Sequence, residues 1–211
     1  IARAGNQMMV QLLEVPLIPL APVEFEGSTA LVMVDTQPRA GQADYEEHPP
    51  TVVLDHHETP GDLSEVSFVD LRPDLGATST IVAGYLIEQG IPPTPSLATG
   101  LLYGIESETT GFPREASPQD DGALAWLFPR ADKDLLARIR NPKLPLSYFA
   151  IYQYALAHAR LHENLVFIWC GVVPQPDIIA EIADFLVKFD QVAWAVAVGV
   201  FAVGTVLAAQ T

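Results

Sequence analysis

The sequence predicts an α/β fold: a parallel, Rossmann-like sheet flanked by helices, then a helical connector, then part of a smaller mixed α/β domain. Three observations support this prediction. In the first half of the 211 residues, short apolar runs that end in acidic residues alternate with helical patterns. The middle of the chain is helical in pattern, and strand-like alternation returns near its end. Strands that alternate with helices are typical of a parallel sheet.

The apolar runs of the first half predict strands whose carboxyl ends carry acids. Three of them cover residues 29–34, 51–54 and 66–69, and they stop at Asp35, Asp55 and Asp70. A fourth run, residues 97–105, is interpreted in the same way and leads into the acids Glu106 and Glu108. Because ligands of parallel α/β sheets bind at the carboxyl ends of the strands, these acids are candidate site residues.

The other segments are assigned by their periodicity. Helical patterns cover residues 4–13, 77–89, 118–128, 131–140, 147–162 and 176–189. Strand patterns cover residues 165–173 and 192–209. The character of the chain changes near residues 129–145, so we divide it into residues 1–128, 129–161 and 162–211.

The uncharged stretch of residues 192–209 permits two interpretations. Its 18 residues reach the lower limit of a membrane-spanning helix. However, Val and Trp alternate with Ala and Gly from Val192 to Val200, which is the period of a β-strand. No cluster of Lys or Arg flanks the stretch as a membrane anchor. We therefore predict buried strands, with a membrane helix as the alternative.

Composition limits the classes of function. The formal net charge of −15 opposes binding to a long phosphate backbone, so duplex DNA is not an expected partner. A small anion held on metal ions remains compatible with this charge, because bound cations reverse the local field. A single cysteine, Cys170, excludes an intrachain disulfide and fits a reducing, cytoplasmic compartment. No signal-peptide pattern is found at the start, which is Ile1.

The sharpest local feature is Asp55-His56-His57, directly after an apolar run. Imidazole binds divalent transition metals, and carboxylates bind harder ions such as Mn²⁺. One histidine can bind a metal while its neighbour faces a substrate, and Asp55 is expected to hold the other ring nitrogen of the ligating histidine. The alternative for this motif is a solvated polar loop. For Asp35 and Glu108, the alternative is an ordinary turn or helix-cap acid.

Taken together, three motifs resemble a known family. Asp35-Thr36-Gln37, Asp55-His56-His57 and the segment from Gly104 to Thr109 are similar to the second, third and fourth motifs of the DHH phosphoesterases. This family includes RecJ-type exonucleases, nanoRNA and phosphoadenosine-phosphate phosphatases, cyclic-dinucleotide phosphodiesterases and family II inorganic pyrophosphatases. The segment from Gly76 to Thr80 resembles the small-residue helix start after the third motif. The resemblance implies that residues 1–128 are an incomplete DHH domain and that residues 162–211 begin the DHH-associated C-terminal domain.

The resemblance implies a role for each matching residue. Asp35 and His56 correspond to metal ligands, and Glu108 stands where the family has an aspartate ligand. His57 corresponds to the histidine that faces the substrate phosphate, and Asp55 corresponds to the supporting acid, so His57 and Asp55 are the implied catalytic residues.

Arg114 is a further candidate, as a forked donor to a substrate phosphate. The alternative is an ordinary surface arginine.

Two motifs of the family are missing from the sequence. The first motif, a histidine with two aspartates that supply metal ligands, is not found, and neither is the glycine-rich, histidine-containing substrate motif of the C-terminal domain. We therefore expect the chain to be the middle of a longer enzyme.

The implied activity is hydrolysis of a phosphate ester. Two Mn²⁺ ions, or Mg²⁺ or Co²⁺ in their place, ~3.5–4 Å apart would activate the water that attacks phosphorus. The implied substrate is a small nucleotide or a short single-stranded oligonucleotide, as for an exonuclease or oligoribonuclease. No membrane partner is expected, and a homodimer is compatible with the sequence. The alternatives are an inorganic pyrophosphatase, a nucleotide- or metal-binding module with little turnover, and a membrane-associated or oligomerising structural protein.

Overall fold

The computed structural model describes residues 3–18, 30–38, 49–58, 61–109, 116–202 and 204–210. These residues form two compact units. One unit holds the described part of residues 16–137, and the other holds the described parts of residues 1–15 and 138–211. The three-part division at residues 128/129 and 161/162 stays a prediction.

The unit of residues 16–137 is built on a parallel sheet. Its strands, in the spatial order β1-β2-β3, are Val32–Val34, Val52–Asp55 and Phe68–Leu71. Val34 pairs with Leu54, and Leu54 pairs with Asp70. Because the strands run in one direction, their carboxyl ends meet at one edge of the sheet, as the alternation of strand and helix patterns predicts.

Helices supply most of the core of this unit. They are α2 (Thr78–Glu88), α3 (Pro95–Thr109), α4 (Pro118–Leu127) and the part of α5 (Lys133–Arg140) up to residue 137. Their buried apolar side chains, with two from the adjoining turns, form one cluster: Ala77, Ala83, Ala98, Leu102, Ile105, Ala123, Leu127, Ala131 and Leu136.

The strand predicted over residues 97–105 is wrong, because these residues lie inside helix α3. Ala98, Leu102 and Ile105 are its buried residues together with Thr99, and their spacing is that of one helix face. An apolar run by itself does not distinguish a buried helix from a buried strand. Glu108 therefore lies in the last turn of a helix and not at the end of a strand.

The other unit is built on a mixed sheet. Its strands, in the order β4-β5-β6-β7, are Arg160–His162, Leu165–Val172, Trp194–Phe201 and Gly204–Gln210. β5 and β6 are parallel, and the two outer pairings are antiparallel. The helices of this unit are α1 (Ala4–Leu12), α6 (Leu146–His158) and α7 (Asp177–Leu186). Buried side chains of α7 join those of β5 and β6 in a second core.

The stretch of residues 192–209 forms strands, as its alternating pattern predicts. Ala195 and Ala197 of β6 are fully buried, whereas the valines between and after them are half-buried on the other face. In the part of the chain that the structure describes, no helix is long and apolar enough to span a membrane. Cys170 is buried in β5, and burial raises the pKa of its thiol.

Candidate metal centre

The candidate site lies at the carboxyl ends of β1 and β2. Asp35 follows the last residue of β1, and Asp55 is the last residue of β2. The backbone N–H of Asp35 donates to the carbonyl of Leu54, 2.9 Å away, so the two strand ends are held side by side. His56 and His57 then leave β2 directly beside Asp35. The predicted convergence of these motifs at one sheet edge is therefore observed for two of the strands.

Three side chains bring potential metal ligands together. One donor atom from each of Asp35, His56 and His57 lies within 4.8 Å of the other two. His56 Nε2 is 3.5 Å from Asp35 Oδ1. The Asp35 and His57 side chains are 58% and 54% exposed, whereas the His56 side chain is 9% exposed. The cluster therefore has a buried side formed by His56 and a side open to solvent.

The ring of His56 is oriented by the backbone. Its Nδ1 lies 3.1 Å from the carbonyl oxygen of Leu75. Since a carbonyl oxygen only accepts hydrogen bonds, Nδ1 carries the ring proton and donates it. Nε2 then carries the lone pair, and this atom is the one that lies 3.5 Å from Asp35 Oδ1. A histidine whose second nitrogen donates to a carbonyl is typical of metal-ligating histidines.

The ring of His57 is oriented by Asp55. His57 Nδ1 donates to Asp55 Oδ1 at 2.7 Å, and the ring is tilted 50° from that of His56 at a centroid distance of 4.5 Å. Of the two histidines, Asp55 therefore holds His57 and not His56, whose Nδ1 lies against the Leu75 carbonyl instead. Rotation of the chain between adjacent residues sends the two rings in different directions, and Asp55 meets the second of them.

Asp55 is a buried carboxylate in a complete set of hydrogen bonds. Its side chain is 1% exposed, and it accepts from the backbone N–H groups of His56 and His57 and from Gln37 Nε2 at 2.8 Å. Burial by itself raises the pKa of this carboxyl, but the hydrogen bonds from His57, Gln37 and the backbone outweigh that effect and lower the pKa. Asp55 is therefore ionised near neutral pH and holds the proton of His57 on Nδ1.

Gln37 is a site residue to which the sequence analysis gave no role. Its amide donates to Asp55 and to the carbonyl of His57, and its Oε1 accepts from Gly61 N at 2.9 Å. A Cβ at Gly61 would lie 1.8 Å from the carbonyl oxygen of Pro38, so only glycine fits this approach. The position of Gln37 within the quoted motif Asp35-Thr36-Gln37 was the signal for its role.

Asp35 has an unusual backbone and a specific partner. Its φ of 62° lies in the left-handed region, where Asp is among the residues tolerated best. Thr78 Oγ1, in the first turn of α2, donates to Asp35 Oδ1 at 2.8 Å. Thr78 belongs to the small-residue helix start that the sequence analysis singled out, and the structure adds its contact with Asp35.

The remaining predicted residues differ in their placement. Glu108 is half-buried in the last turn of α3, and within the described ranges the three-residue donor cluster does not include it. Its role as a metal ligand stays a prediction. Arg114 lies outside the described residues.

Asp70 does not join the cluster either and has partners of its own. It lies within β3, where Arg72 donates to it from Nε and Nη2 at 2.9 and 2.8 Å and the Tyr85 hydroxyl also bonds to it. Burial, with the Asp70 carboxylate beside it, raises the pKa of Tyr85 to about 12.

The donor set of the cluster fits one divalent cation. Two imidazoles and one carboxylate are ligands for transition metals, and the open side leaves room for water or substrate. Each imidazole has its Nδ1 bonded to a protein oxygen, so each keeps Nε2 available. Three donors are too few for two ions, so a second ion would need further ligands.

Two proteins of known sequence are similar to this chain over part of their own length. No protein-family model matches the chain. An uncharacterized protein of Methanocaldococcus jannaschii is 31% identical over 186 residues, which are 88% of this chain and 38% of that protein. An A-adding tRNA nucleotidyltransferase of Geobacter sulfurreducens is 36% identical over 128 residues, which are 54% of this chain and 14% of that enzyme. The chain thus spans well under half the length of either relative.

Comparison with solved structures identifies the fold. An exopolyphosphatase-related protein from Bacteroides fragilis superposes with a TM-score of 0.67 at 15% identity, over 81% of this chain and 54% of that one. A Methanococcus jannaschii protein proposed to be a family II inorganic pyrophosphatase superposes with a TM-score of 0.55 at 16% identity, over 94% of this chain and 72% of that one. The predicted α/β class is confirmed by this likeness.

Proposed function

We propose that this chain carries the metal centre of a divalent-metal-dependent phosphoesterase of the DHH type. The observation that carries the proposal is the meeting of Asp35, His56 and His57 at the carboxyl edge of a parallel sheet. The fold likeness to an exopolyphosphatase-related protein and to a protein proposed as a pyrophosphatase supports a hydrolase that acts on phosphate bonds.

Asp35 and His56 are the proposed metal ligands. The mixture of an imidazole with a carboxylate fits Mn²⁺ or Co²⁺, and Mg²⁺ less well, because Mg²⁺ prefers oxygen ligands. A bound cation would supply a Lewis acid for the phosphate oxygens and a lowered pKa for water. We keep Glu108 as the proposed further ligand for a second ion.

His57 is the proposed contact with the substrate phosphate, and Asp55 its positioning partner. The His57 ring is half exposed on the open side of the cluster, and its Nδ1 proton is bonded to Asp55. This bond leaves Nε2 free to take or deliver a proton at the ester, which is the arrangement that general acid–base catalysis requires. The buried carboxylate fixes the tautomer and the direction of the ring.

The start of helix α2 adds to the attraction for an anion. Thr78 in its first turn contacts Asp35, so the positive end of the helix dipole lies beside the cluster. Together with a bound cation, this end offsets the net charge of −15 at the place where a phosphate must bind.

The proposed substrate is a small nucleotide or a short single-stranded oligonucleotide. The relative named as an A-adding tRNA nucleotidyltransferase transfers, by its name, a nucleotide to tRNA, and this supports a substrate of the nucleotide class. The aligned region is 14% of that enzyme, so the likeness does not extend to its adding activity.

The test is hydrolysis of a 5′-labelled dinucleotide by the chain in the presence of Mn²⁺. We expect mononucleotide from the wild type and none from His56→Ala, with His162→Ala as the control, since His162 is an exposed imidazole of β4. Product from His56→Ala at the wild-type rate would contradict the proposal. Bound nucleotide without product from the wild type would favour the binding module instead.

An inorganic pyrophosphatase is the second candidate. It is favoured by the likeness to the proposed family II pyrophosphatase, which extends over 94% of this chain. The same proteins incubated with pyrophosphate and Mn²⁺ separate the two candidates. Release of orthophosphate, without mononucleotide from the dinucleotide, would favour this second activity.

A further inference from the structure

A second buried carboxylate, that of Asp120, bonds to the segment that contacts Asp35 and His56. Asp120 of α4 is 0% exposed. Oδ2 accepts from Gly76 N at 2.9 Å and from Ser117 N and Oγ at 2.7 Å each, and Thr80 Oγ1 donates to Oδ1. The bonds with Ser117 form the capping box of α4, but those with Gly76 and Thr80 lie outside this helix.

One peptide group joins Asp120 to His56. The N–H of Gly76 donates to Asp120, and the C=O of the same peptide, which belongs to Leu75, accepts from His56 Nδ1. A peptide group is planar, so fixing its N–H also fixes the direction of its C=O. The Asp120 carboxylate therefore determines where the acceptor for the His56 proton points.

The same segment also reaches the other proposed ligand. Thr78, between Gly76 and Thr80, donates to Asp35. Asp120 holds Gly76 on one side of Thr78 and Thr80 on the other. The segment that orients both proposed metal ligands is therefore attached at two points to one carboxylate.

We propose that Asp120 is a positioning residue of the metal centre, acting on His56 through the Leu75–Gly76 peptide and on Asp35 through Thr78. This inference rests on the proposed metal site. Capping of α4 alone does not require the two bonds to Gly76 and Thr80. Burial of a charge is costly unless hydrogen bonds compensate it, and two of the four compensating donors, Gly76 N and Thr80 Oγ1, come from the segment that carries the ligands' partners.

Gly76 permits the close approach that this arrangement needs. A Cβ at Gly76 would lie 3.1 Å from Asp120 Oδ2 and 2.5 Å from Thr109 Cγ2. Gly76→Ala therefore displaces the peptide from the carboxylate while Asp120 itself stays in the chain. This variant provides an independent route to the same effect.

The first measurement is the tautomer of His56 in the metal-free 211-residue chain, read from its ring ¹⁵N chemical shifts. The proposal requires the proton on Nδ1 in the wild type. We expect Asp120→Ala and Gly76→Ala to increase the Nε2–H tautomer and to weaken Mn²⁺ binding about 10- to 100-fold. Asp120→Asn keeps an acceptor oxygen for Gly76 and is expected to restore most of both properties.

Two matched controls separate positioning from stability. Asp121→Ala removes an exposed carboxylate of the same helix turn, and Ser117→Ala removes the cap of α4 but leaves the bond between Asp120 and Gly76. Both are expected to keep the wild-type tautomer and Mn²⁺ affinity. The tautomer measurement needs no metal, so it still decides the role of Asp120 if His56 proves not to bind Mn²⁺.

Three results would overturn the proposal. One is an Nε2–H tautomer of His56 in the wild type. Another is a wild-type tautomer in folded Asp120→Ala or, where that variant does not fold, in Gly76→Ala. The third is an equal change in Ser117→Ala, which would reduce the role of Asp120 to helix capping.

Discussion

Asp35 Oδ1 and His56 Nε2 lie 3.5 Å apart, although they follow two different strands. The parallel pairing of β1 with β2 brings them together, and neither is adjacent to the other in the chain. Each is fixed by a partner from the segment of residues 75–80, since Leu75 accepts from His56 and Thr78 donates to Asp35. The candidate centre is thus a product of sheet register and of one buried segment.

Asp55→Asn should separate catalysis from metal binding. Because Asp55 orients His57 and not the ring of His56, we expect kcat for the dinucleotide to fall about 10²- to 10⁴-fold. The Mn²⁺ dissociation constant should change far less than in His56→Ala. Steady-state kinetics and Mn²⁺ titration of both variants check this prediction. Equal loss of Mn²⁺ affinity in the two variants would contradict it.

The free energy of unfolding should decrease at acid pH as Asp55 and Asp120 become protonated. Their hydrogen bonds lower the pKa of each carboxyl below the unfolded value of about 3.9. Their contribution to the free energy of unfolding is therefore complete above about pH 4 and is lost as the pH falls through the lower folded-state values. Urea unfolding of the wild type and Asp120→Asn from pH 7 to pH 2 checks this. The stability difference between them should shrink below about pH 4, and a constant difference would argue against it.

Gln37→Leu should destabilise the fold because two groups lose their hydrogen-bond partner. Asp55 loses a buried donor and Gly61 N loses its acceptor, so we expect the free energy of unfolding to fall by about 1–3 kcal/mol. Gln89→Leu, at an exposed position after α2, is the matched control and should stay within about 0.5 kcal/mol of the wild type. Chemical denaturation measures both, and equal effects would show that Gln37 has no special role.

Gly104→Ala should disturb the contact between α2 and α3. The added Cβ would lie 2.3 Å from Ser79 Oγ and 3.2 Å from Ser79 Cβ. We expect a loss of about 1–3 kcal/mol in the free energy of unfolding, partly recovered by adding Ser79→Gly.

Gly84→Ala in α2 is the control for helix propensity. Its Cβ meets nothing within 4 Å, so this variant should gain up to about 1 kcal/mol. Thermal unfolding of the wild type and of the three variants measures these differences. A gain in Gly104→Ala similar to that in Gly84→Ala would refute the close contact.

The sequence predicted the elements whose patterns are strongly periodic. The strand before Asp35 was identified by its apolar run, the strands within residues 192–209 by their alternating pattern, and the helix ending before Gly90 by its stop signal. Gly90 has a φ of 65°, which a helix terminus of this kind requires. Residues 97–105 were misassigned because their apolarity is equally compatible with a helix.

The motif residues of the site were predictable from the sequence, but the contacts between them were not. Asp35 and Asp55-His56-His57 were identified because acids and imidazoles follow apolar runs there and because the motifs, taken together, resemble those of a known family. Which histidine Asp55 holds was not predictable, because it depends on a rotation between adjacent residues. The contacts of Asp120 with Gly76 and Thr80 are distant in sequence, and a single sequence does not reveal them.

The central claim is that Asp35 and His56 hold a divalent cation. Titration of the chain with Mn²⁺, followed by the electron paramagnetic resonance signal of the free ion, tests it most directly. We predict a saturable site in the wild type and in His162→Ala, weakened at least about 100-fold in Asp35→Asn/His56→Ala. Wild-type Mn²⁺ affinity in that folded double variant would contradict the claim.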